Sequence, residues 1–562
     1  MKCAVIVDRQ RSAFKTHLIA SGQRVEMEMN MFEHKIGLAN SLLRDGELKR
    51  FDLGGTAVLL IRRDANYYAV GAVCPHYGAP LEKGLLKDYT LMCPWHHACF
   101  DIRQGMLLEP PALNDLPHFL VRIEQGQVIV TLPQDNNPAP QGAADASDKR
   151  HFIILGGGSA GNAAAEELRR SGYVGKITLI SQVSNVPIDR PNLSKGYLAG
   201  KADPSSIPLR GDKQWYVERG IELRLGTRVT RMDMKAHILE FDGGNSLHYD
   251  KLLLATGSTP RQLSDTPGTD LKGIYTLRTL ADADEIIKAA QTGKRAVIIG
   301  SSFIGMEAAA SLAGGREIMV TVVGPSRVPF ERTLGEDIGR MFQREHEANG
   351  VQFRLGMQVK RFVGNGGHVT GVELTNGEAL PADFVVVGVG VRPATGFLRE
   401  AGLALNEKDQ AVRVNAKLQS SDPDVYAAGD IARWDDGSES GQRIEHWRVA
   451  EQQGIVAARN MLDQDVTMNQ HIPFFWTEQW KIGLSYVGQA SKWDEIIYRY
   501  GKPEEKDFIA FYLSGSKLLA AAGMKHDLDM DAIEFIMQDN KSLTKEQMRD
   551  MSFDLVAYAQ SA

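Results

Sequence analysis

The chain contains 562 residues, of which 43% are hydrophobic and 24% are charged, and its formal net charge is −6. This length exceeds what one hydrophobic core supports and predicts about three or four domains. The negative charge, without a basic run interleaved with aromatic residues, argues against a nucleic-acid partner. The four cysteines are too few for a disulfide framework and favour a reducing cytoplasm.

The N-terminal segment carries little structural information. Residues 1–34 begin with a short apolar patch, MKCAVIV, before polar residues return. The patch is too short for the core of a signal peptide and far too short to span a membrane. We therefore predict an N-terminal extension over residues 1–34, for which a flexible extension and an upstream start are the two alternatives. We also predict no membrane association and a cytoplasmic location. Both a monomer and a homodimer are compatible with the sequence.

Residues 35–133 show short apolar runs broken by Gly, Asp and Asn, such as AVLLIRRD, NYYAVGAV and FLVRIEQGQVIVTL. Runs of this kind predict β-strands joined by hairpins, one of which turns at EQGQ. The region is therefore predicted to be an all-β module. Residues 134–149 are rich in Asn, Pro, Ala, Gly and Asp without periodicity, which predicts an interdomain linker.

Two Cys-plus-His pairs lie within the predicted β module. Cys74 and His76 form the first pair, and Cys93 and His96 form the second, in the pattern C-x-H-x16-C-x2-H. Two thiolates and two imidazoles suit a Rieske 2Fe-2S cluster, in which two Cys hold one iron and two His hold the other. A structural zinc site is the alternative, although zinc fingers usually pair Cys with Cys and His with His. His97 follows the last ligand, and the C-x2-H spacing selects His96 instead.

A nucleotide-binding fingerprint follows the linker. An apolar strand, HFIIL, leads into Gly156-x-Gly158-x-x-Gly161 and then into an Ala-rich amphipathic helix. Glycines between a strand and a helix let the backbone approach a pyrophosphate at the helix N-terminus. The next strand, KITLIS, is followed by Gln182 where an acidic residue usually holds a ribose hydroxyl. Gln182 can still form a hydrogen bond with a ribose.

A second copy of this pattern spans residues 294–315. Its turn reads Gly300-x-Ser302-x-x-Gly305, with serine in place of the middle glycine. The following strand ends without an acidic residue, and Arg327 lies just beyond it. Arg327 mildly favours the 2′-phosphate of NADPH, but a solvated surface charge is the commoner role. Two nucleotide folds imply two dinucleotides, and the economical pair is FAD in the first and NADH or NADPH in the second.

Smaller signatures complete the chain. Apolar strands end in Ala255-Thr256-Gly257 and near Gly390, and another ends in Gly429-Asp430. Beyond about residue 469, apolar and polar residues alternate over two long stretches, which predicts an antiparallel sheet. The tail 528–562 is predicted to be helical.

These motifs together resemble a known family. Residues 150–562 are similar to the FAD-dependent pyridine-nucleotide oxidoreductases of the glutathione-reductase fold, particularly dioxygenase ferredoxin reductases and apoptosis-inducing factor. A Rieske module in front, and the turn G-x-S-F-I-G at residues 300–305, resemble the apoptosis-inducing-factor-like subfamily. The resemblance implies an all-β Rieske domain, an α/β flavoprotein with two dinucleotide-binding domains, and a C-terminal α+β domain. The implied flavoprotein boundaries are 150–270 and 396–465 for FAD, 271–395 for NAD(P), and 466–562 for the C-terminal domain.

The resemblance also implies the flavin pocket. The family segment DRPxLSK matches residues 189–195, so Arg190 and Lys195 are expected near the flavin, with Lys195 paired to Glu307. A cation there would favour the negative charge of the reduced ring, and the alternative role for Lys195 is an exposed surface lysine. Lys195 and Glu307 are the candidate catalytic residues. The implied cofactor-binding residues are Gly156, Gly158, Ser159, Ala160, Gly161, Gln182, Arg190, Lys195, Val229, Ala255, Thr256, Gly257, Arg261, Gly300, Ser302, Phe303, Ile304, Gly305, Glu307, Gly390, Gly429, Asp430, His446 and Trp447.

Departures from the family pattern bear on the chemistry. Ile188 replaces an aromatic residue, and no C-x-x-C pair occurs in the flavoprotein region, which argues against disulfide reduction. In the cluster loops, Ala79 and Trp95 stand where high-potential Rieske domains carry disulfide cysteines. Ala98 replaces a hydroxyl that bonds a cluster sulfur. Fewer donors to the cluster predict a low reduction potential.

The predicted function is therefore an electron-transfer enzyme. Hydride would pass from NAD(P)H to FAD, and single electrons would pass to a low-potential Rieske 2Fe-2S cluster and on to a partner protein, with an oxygenase as one candidate. One alternative is a redox-sensing flavoprotein of the apoptosis-inducing-factor type with slow NADH oxidation. A weaker alternative is a binding module with zinc at the Cys/His site.

Overall fold

The structure is a computed structural model that describes residues 9–20, 23–133, 147–438, 441–468 and 471–561. Its N-terminal part is built from strands. The predicted linker lies outside the described residues over 134–146. The strands before the linker are β1 (Arg9–Ala20), β2 (Gln23–Leu38), β3 (Leu48–Leu53), β4 (Thr56–Arg63), β5 (Asn66–Gly71), β6 (Leu85–Lys87), β7 (Thr90–Met92), β8 (Cys99–Asp101), β9 (Leu107–Glu109), β10 (His118–Glu124) and β11 (Gln127–Pro133).

These strands form two antiparallel sheets. β1, β2, β11, β10, β5, β4 and β3 pair in that order, and β6 to β9 form the second sheet. β10 and β11 are joined at Gln125 and Gly126, both with positive φ, which is the turn whose twist matches that of the flanking strands. The predicted all-β module and its hairpin at EQGQ are confirmed. β1 and β2 begin inside the segment predicted to be an extension.

The flavoprotein region alternates strands and helices. Its first part contains β12 (His151–Leu155), α1 (Ser159–Arg170), β13 (Lys176–Ile180), α2 (Lys213–Glu218), β14 (Ile221–Arg224), β15 (Val229–Asp233), β16 (Ile238–Phe241), β17 (Ser246–His248), β18 (Lys251–Leu254) and β19 (Ser258–Pro260). The next part contains β20 (Ile274–Tyr275), α3 (Leu280–Thr292), β21 (Arg295–Ile299), α4 (Phe303–Arg316), β22 (Met319–Gly324), α5 (Glu331–Leu334), α6 (Glu336–Ala348), β23 (Gln352–Leu355), β24 (Val359–Asn365), β25 (His368–Leu374), β26 (Ala379–Pro381), β27 (Phe384–Val387) and β28 (Val391–Pro393). The last part contains β29 (Val412–Val414), β30 (Val425–Ala427), β31 (Ala432–Trp434) and α7 (Trp447–Met461).

Two parallel five-stranded sheets organise this region. The first has the order β14-β13-β12-β18-β30, and the second has the order β20-β27-β21-β22-β23. Their central strands are buried along nearly their whole length, as parallel strands covered on both faces require. In each sheet a central strand leads through a glycine-rich turn into a helix, β12 into α1 and β21 into α4. The two predicted dinucleotide folds are confirmed.

The C-terminal region begins with an antiparallel sheet and ends in helices. The sheet strands are β32 (Phe474–Gln479), β33 (Ile482–Gly488), β34 (Glu495–Arg499), β35 (Phe508–Ser514) and β36 (Lys517–Met524). They pair in the order β32-β33-β36-β35-β34, so the predicted alternating strands are confirmed. The closing helices are α8 (Asp527–Gln538), α9 (Lys545–Arg549) and α10 (Leu555–Gln560).

The chain divides into two compact units. One holds the N-terminal strands together with the C-terminal segments 527–541 and 552–561, and the other holds the flavoprotein region, the C-terminal sheet and residues 542–551. In the first unit, α8 and α10 pack on each other and on β6. Within the described ranges, no helix combines the length and the apolar character needed to cross a bilayer.

Candidate functional site

The two cluster loops of the first unit share one backbone design. The N–H of Cys74 donates to the carbonyl of Ala79 over 2.9 Å, and the N–H of Cys93 donates to that of Ala98 over 2.8 Å. Each loop therefore closes five residues after its cysteine. The loops follow β5 and β7, so the short strands fix the points from which they leave the sheets.

The four predicted ligands converge between these loops. The Nδ1 atoms of His76 and His96 lie 3.0 Å apart. A hydrogen bond between the thiols is the largest influence on both cysteines, and it lowers the pKa of Cys74 and raises that of Cys93. Burial lowers the pKa of His76 to about 4, which keeps its imidazole neutral and able to ligate a metal. The donor set fits a Rieske cluster.

Aromatic side chains surround the histidine ligands. Tyr77 stacks on His76 with ring centroids 4.0 Å apart, and Trp95 lies edge-on to His96 at 6.5 Å. Tyr77 and Trp95 are both exposed. Cys99 is buried in β8.

The first glycine turn, in the second unit, leaves no room for side chains at two of its glycines. Gly156 has φ +128°, and a Cβ there would lie 2.0 Å from the carbonyl oxygen of Ala255. A Cβ on Gly161 would lie 1.8 Å from the carbonyl oxygen of Gly156. Gly158, by contrast, faces the guanidinium of Arg190, which would lie 3.7 Å from its Cβ. The turn therefore presents open backbone and a cation at the N-terminus of α1, as pyrophosphate binding requires.

The environment of Arg190 indicates whether the first glycine turn can bind the pyrophosphate of FAD. The side chain of Arg190 is half-buried, and burial followed by repulsion from Arg278 lowers its pKa to about 9. Among the residues that the structure describes, its buried Nε has no hydrogen-bond partner. A cation with a buried, unsatisfied donor beside a nucleotide-binding turn suits a bound anion. The residues present thus fit the pyrophosphate of FAD.

Asp430, which the family resemblance implies as a cofactor-binding residue, is held as a carboxylate. Its Oδ2 accepts hydrogen bonds from Ser258 over 2.7 Å and from Arg278 over 2.9 Å. Burial, the largest single influence, would raise the pKa of Asp430, but Arg278, Ser258 and Arg190 together outweigh it and lower the pKa. Ser258 and Arg278 were not among the predicted residues. Ser258 directly follows the Ala255-Thr256-Gly257 signature, which was a usable signal, whereas Arg278 belongs to no motif and reaches Asp430 only through the fold.

The remaining residues predicted for the FAD side lie on several elements. Gln182 is exposed after β13, and Val229 is buried at the start of β15. The exposed Arg261 donates from Nε to the carbonyl of Val391, and its N–H donates to Gly390. Oγ1 of Thr256 donates to the carbonyl of Ala394. Gly257 and Gly429 have positive φ. Ser159 and Ala160 are the first two residues of α1.

The second glycine turn repeats the geometry of the first. Gly300 has φ +118°, and a Cβ there would lie 2.2 Å from the carbonyl oxygen of Gly388. A Cβ on Gly305 would lie 2.1 Å from the carbonyl oxygen of Gly300. Ser302 is exposed at the N-cap of α4, so its side chain meets no obstacle. The serine at the middle position is therefore sterically compatible with this turn.

Other residues near the second turn differ in exposure. Phe303 is half-buried against Phe330, whereas Ile304 is exposed. The side chain of Arg327 is 74% exposed and pairs with Glu331 at 2.7 Å and Glu336 at 3.4 Å. The Arg327 guanidinium thus takes part in a surface ion-pair network.

Lys195 and Glu307 lie together. The Lys195 Nζ is 2.8 Å from Oε2 of Glu307. The same Oε2 accepts a hydrogen bond from Ser194 over 2.5 Å, and Oε1 accepts one from Thr477 over 2.7 Å. A buried carboxylate with a donor at each oxygen is satisfied in its ionised form. Glu307 can therefore hold the ammonium of Lys195 in one position.

A hydrogen-bond chain continues from Thr477 into the protein interior. Nε2 of Gln479 donates to Oγ1 of Thr477 over 3.0 Å, and Nε2 of His346 lies 2.8 Å from Oε1 of Gln479. Sequence analysis missed this chain, because its members come from α6 and β32. The ring of His446, one of the implied cofactor-binding residues, has its centroid 4.6 Å from that of Phe475, and burial lowers the pKa of His446 to about 4. Trp447 begins α7, and its carbonyl accepts from Ser159.

Comparison with known proteins identifies three families along the chain. Residues 150–454 match the family described as pyridine nucleotide-disulphide oxidoreductase, residues 34–120 match the Rieske 2Fe-2S domain, and residues 474–559 match the reductase C-terminal family. The chain is 34% identical over 518 residues to apoptosis-inducing factor 3 of Homo sapiens, covering 90% of this chain and 84% of that protein.

Ferredoxin reductases are similar to the flavoprotein part. The ferredoxin–NAD(+) reductase component of the biphenyl dioxygenase system of Paraburkholderia xenovorans is 34% identical over 72% of this chain and 97% of its own length. The crystal structure of the ferredoxin reductase for the CYP199A2 system of Rhodopseudomonas palustris has a TM-score of 0.69 and 32% identity, covering 73% of this chain and 100% of that chain. The predicted oxidoreductase activity and the cofactors FAD, nicotinamide nucleotide and Rieske cluster are confirmed. The chain belongs to the pyridine nucleotide-disulphide oxidoreductase family and carries an N-terminal Rieske domain.

Proposed function

We propose that this chain passes electrons from NAD(P)H through FAD to its own Rieske cluster and then singly to a partner protein. The observation that carries the proposal is the distribution of the cysteines. All four precede residue 100, and Cys74 and Cys93 converge with two histidines. The flavoprotein region therefore has no dithiol to receive electrons, whereas the same chain supplies a one-electron centre.

The residues of the flavoprotein region would hold the cofactor and its charge. When bound, FAD supplies the exchange of electrons in pairs or singly that links a hydride donor to a one-electron centre. Arg190 would offer its guanidinium to the pyrophosphate, and Asp430 would offer a carboxylate to hydroxyl groups. Lys195, fixed by Glu307, would place a positive charge where negative charge develops on the ring.

The first unit would hold the cluster and expose it to an acceptor. Cys74 and Cys93 supply thiolates for one iron, and His76 and His96 supply imidazoles for the other. The neighbouring Tyr77 is exposed, which leaves the histidine side open to a protein partner. One relative is named as the reductase component of a dioxygenase system. This supports a ferredoxin or an oxygenase component as the electron acceptor.

An anaerobic titration of the purified holoprotein with NADH and NADPH tests the route. We expect the flavin absorbance to bleach and the paramagnetic resonance signal of the reduced cluster to appear. In the matched control Cys93→Ala, the flavin should bleach without that signal. A wild-type cluster that dithionite reduces but NADH and NADPH leave oxidised would contradict the proposal.

A redox-sensing role is a second candidate, favoured by the similarity to apoptosis-inducing factor 3 over 90% of the chain. In that role the nucleotide would control conformation, and turnover would be slow. A steady-state assay with an external one-electron acceptor separates the two. Fast turnover supports the reductase, whereas slow flavin reduction with a long-lived charge-transfer band supports the sensor.

A further inference from the structure

His97, the residue after the ligand His96, adopts a backbone conformation that favours glycine. Its φ is +60°, and its N–H donates to the carbonyl of Cys93 over 3.1 Å. The equivalent position in the first loop is Gly78, with φ +82° and the same bond to Cys74 over 3.0 Å. A side chain in the left-handed region costs free energy that glycine avoids. The histidine at this position therefore calls for a compensating interaction.

Two carboxylates of α8 provide that interaction within the same unit. Nδ1 of His97 lies 2.6 Å from Oε2 of Glu534, and Nε2 lies 3.3 Å from Oδ1 of Asp531. The three side chains are buried, with exposed fractions of 0% for His97, 0% for Asp531 and 5% for Glu534. Asp531 and Glu534 are three positions apart and so share one face of the helix. Buried carboxylates require such partners.

Within the first unit, α8 also contacts β6 and α10. Lys87 forms an ion pair with Asp539, which follows the helix, and Lys87 lies 5.1 Å from the ring centroid of Phe535. Gln560 of α10 donates to the carbonyl of Leu86 over 2.7 Å, and α10 packs on α8. Loss of the His97 contact alone would therefore leave the helix in place.

We infer that His97 is a positioning residue through which Asp531 and Glu534 of the C-terminal helix fix the second cluster loop and set the reduction potential of the cluster. The carboxylates place buried negative charge one residue from a ligand, and such charge opposes the arrival of an electron. The inference rests on the proposed function, because it assigns a redox role to the same cluster.

The test is a dithionite redox titration of the holoprotein, followed by the paramagnetic resonance of the cluster. Asp531→Asn and Glu534→Gln preserve shape and remove one charge each, so the midpoint potential should rise in both. The matched control Asp529→Asn makes the same charge change on α8. Asp529 lies two positions from Asp531 and so off the helix face that carries Asp531 and Glu534, and its replacement should leave the midpoint potential unchanged. Equal midpoints and spectra in wild type and both variants would overturn the inference.

His97→Gly removes the contact with Asp531 and Glu534, and glycine accepts the positive φ at this position. The variant should shift both the midpoint potential of the cluster and the line shape of its paramagnetic resonance spectrum. If that variant loses its cluster, a triple variant that adds Asp531→Asn and Glu534→Gln removes the whole contact without leaving a buried charge. A wild-type midpoint in the triple variant would overturn the inference, and a shifted one supports it. Dithionite reduces the cluster directly, so these midpoint potentials do not depend on electron transfer from NAD(P)H. Failure of NAD(P)H to reduce the cluster would therefore contradict only the proposed function.

Discussion

Thr477 donates a hydrogen bond to Oε1 of Glu307 over 2.7 Å from a fully buried side chain. Valine would keep the shape of Thr477 and leave that carboxylate oxygen unsatisfied. We expect Thr477→Val to lower the free energy of unfolding by about 1–3 kcal/mol, measured by urea denaturation. Thr477→Ser keeps the hydroxyl and is the control. An equal loss in both variants would mean that the hydroxyl contributes nothing.

Arg190 should contribute to cofactor affinity but not to the stability of the apoprotein. Its guanidinium faces Gly158, and within the described part of the chain its buried Nε has no hydrogen-bond partner. We expect Arg190→Met to weaken FAD binding by about 1.5–3 kcal/mol, roughly 10- to 100-fold, because a charge-assisted bond to phosphate is lost. Urea unfolding of the apoprotein should show no loss of stability, since methionine needs no hydrogen bond.

Flavin fluorescence during titration of the apoprotein with FAD measures this affinity. Arg190→Lys retains a positive charge without the planar fork and should fall between the wild type and the methionine variant. Unchanged affinity in Arg190→Met would show that the guanidinium does not reach the phosphates.

The sequence predicted those parts of the site that depend on local backbone geometry. The glycines at 156, 161, 300 and 305 were identifiable because a strand, a tight turn and a helix must follow one another within a few residues. The pairing of Lys195 with Glu307 came from the family resemblance, since the two residues lie 112 positions apart. The position of Ser194 near Glu307 could have been predicted, because Ser194 precedes Lys195 in the family segment that places Lys195 beside Glu307.

Contacts that arise only in the folded chain could not be predicted in this way. Arg278 reaches Asp430 across 152 positions of sequence, and Glu534 reaches His97 across 437. Neither Arg278 nor Glu534 stands in a motif, and amphipathic periodicity shows which face of a helix is buried but not its partner. The tail was predicted to be helical, but no pattern in it indicated that α8 packs beside a cluster loop.

Gly156 should be intolerant of any side chain. It combines φ +128° with a Cβ position 2.0 Å from the Ala255 oxygen, which is backbone and has little freedom to move. We expect Gly156→Ala to abolish FAD binding and to lower the melting temperature. Gly244 has φ +82° and open space around its Cβ position, so Gly244→Ala should cost only about 1 kcal/mol and keep the flavin. Retention of FAD by Gly156→Ala would contradict the steric argument.

His346 should make stability depend on pH. Burial, the largest influence, lowers its pKa from 6.5 to about 4, so the unfolded chain binds a proton that the folded chain rejects. The contribution of the neutral His346 to the free energy of unfolding is fully present above pH 6.5. It is lost as the pH falls towards 4, by up to about 3 kcal/mol. We expect unfolding free energies measured between pH 4 and 7.5 to show this slope. His346→Asn keeps a donor for Gln479 but does not titrate, so an equally steep slope in that variant would rule out His346 as the cause.

Cys93 and Cys99 are both buried but should differ completely in their effect on the cluster. Cys93 shares a hydrogen bond with the Cys74 thiol, whereas Cys99 lies in β8 with its Sγ 3.5 Å from the His97 carbonyl. We expect Cys93→Ala to lose the cluster iron and acid-labile sulfide, because a missing thiolate leaves one iron without a ligand. Cys99→Ala should retain both at wild-type ratios to protein. Flavin content, measured in the same samples, should be equal in the two variants and so shows that each has folded. Loss of iron in Cys99→Ala together with its retention in Cys93→Ala would require the ligand set to be reassigned.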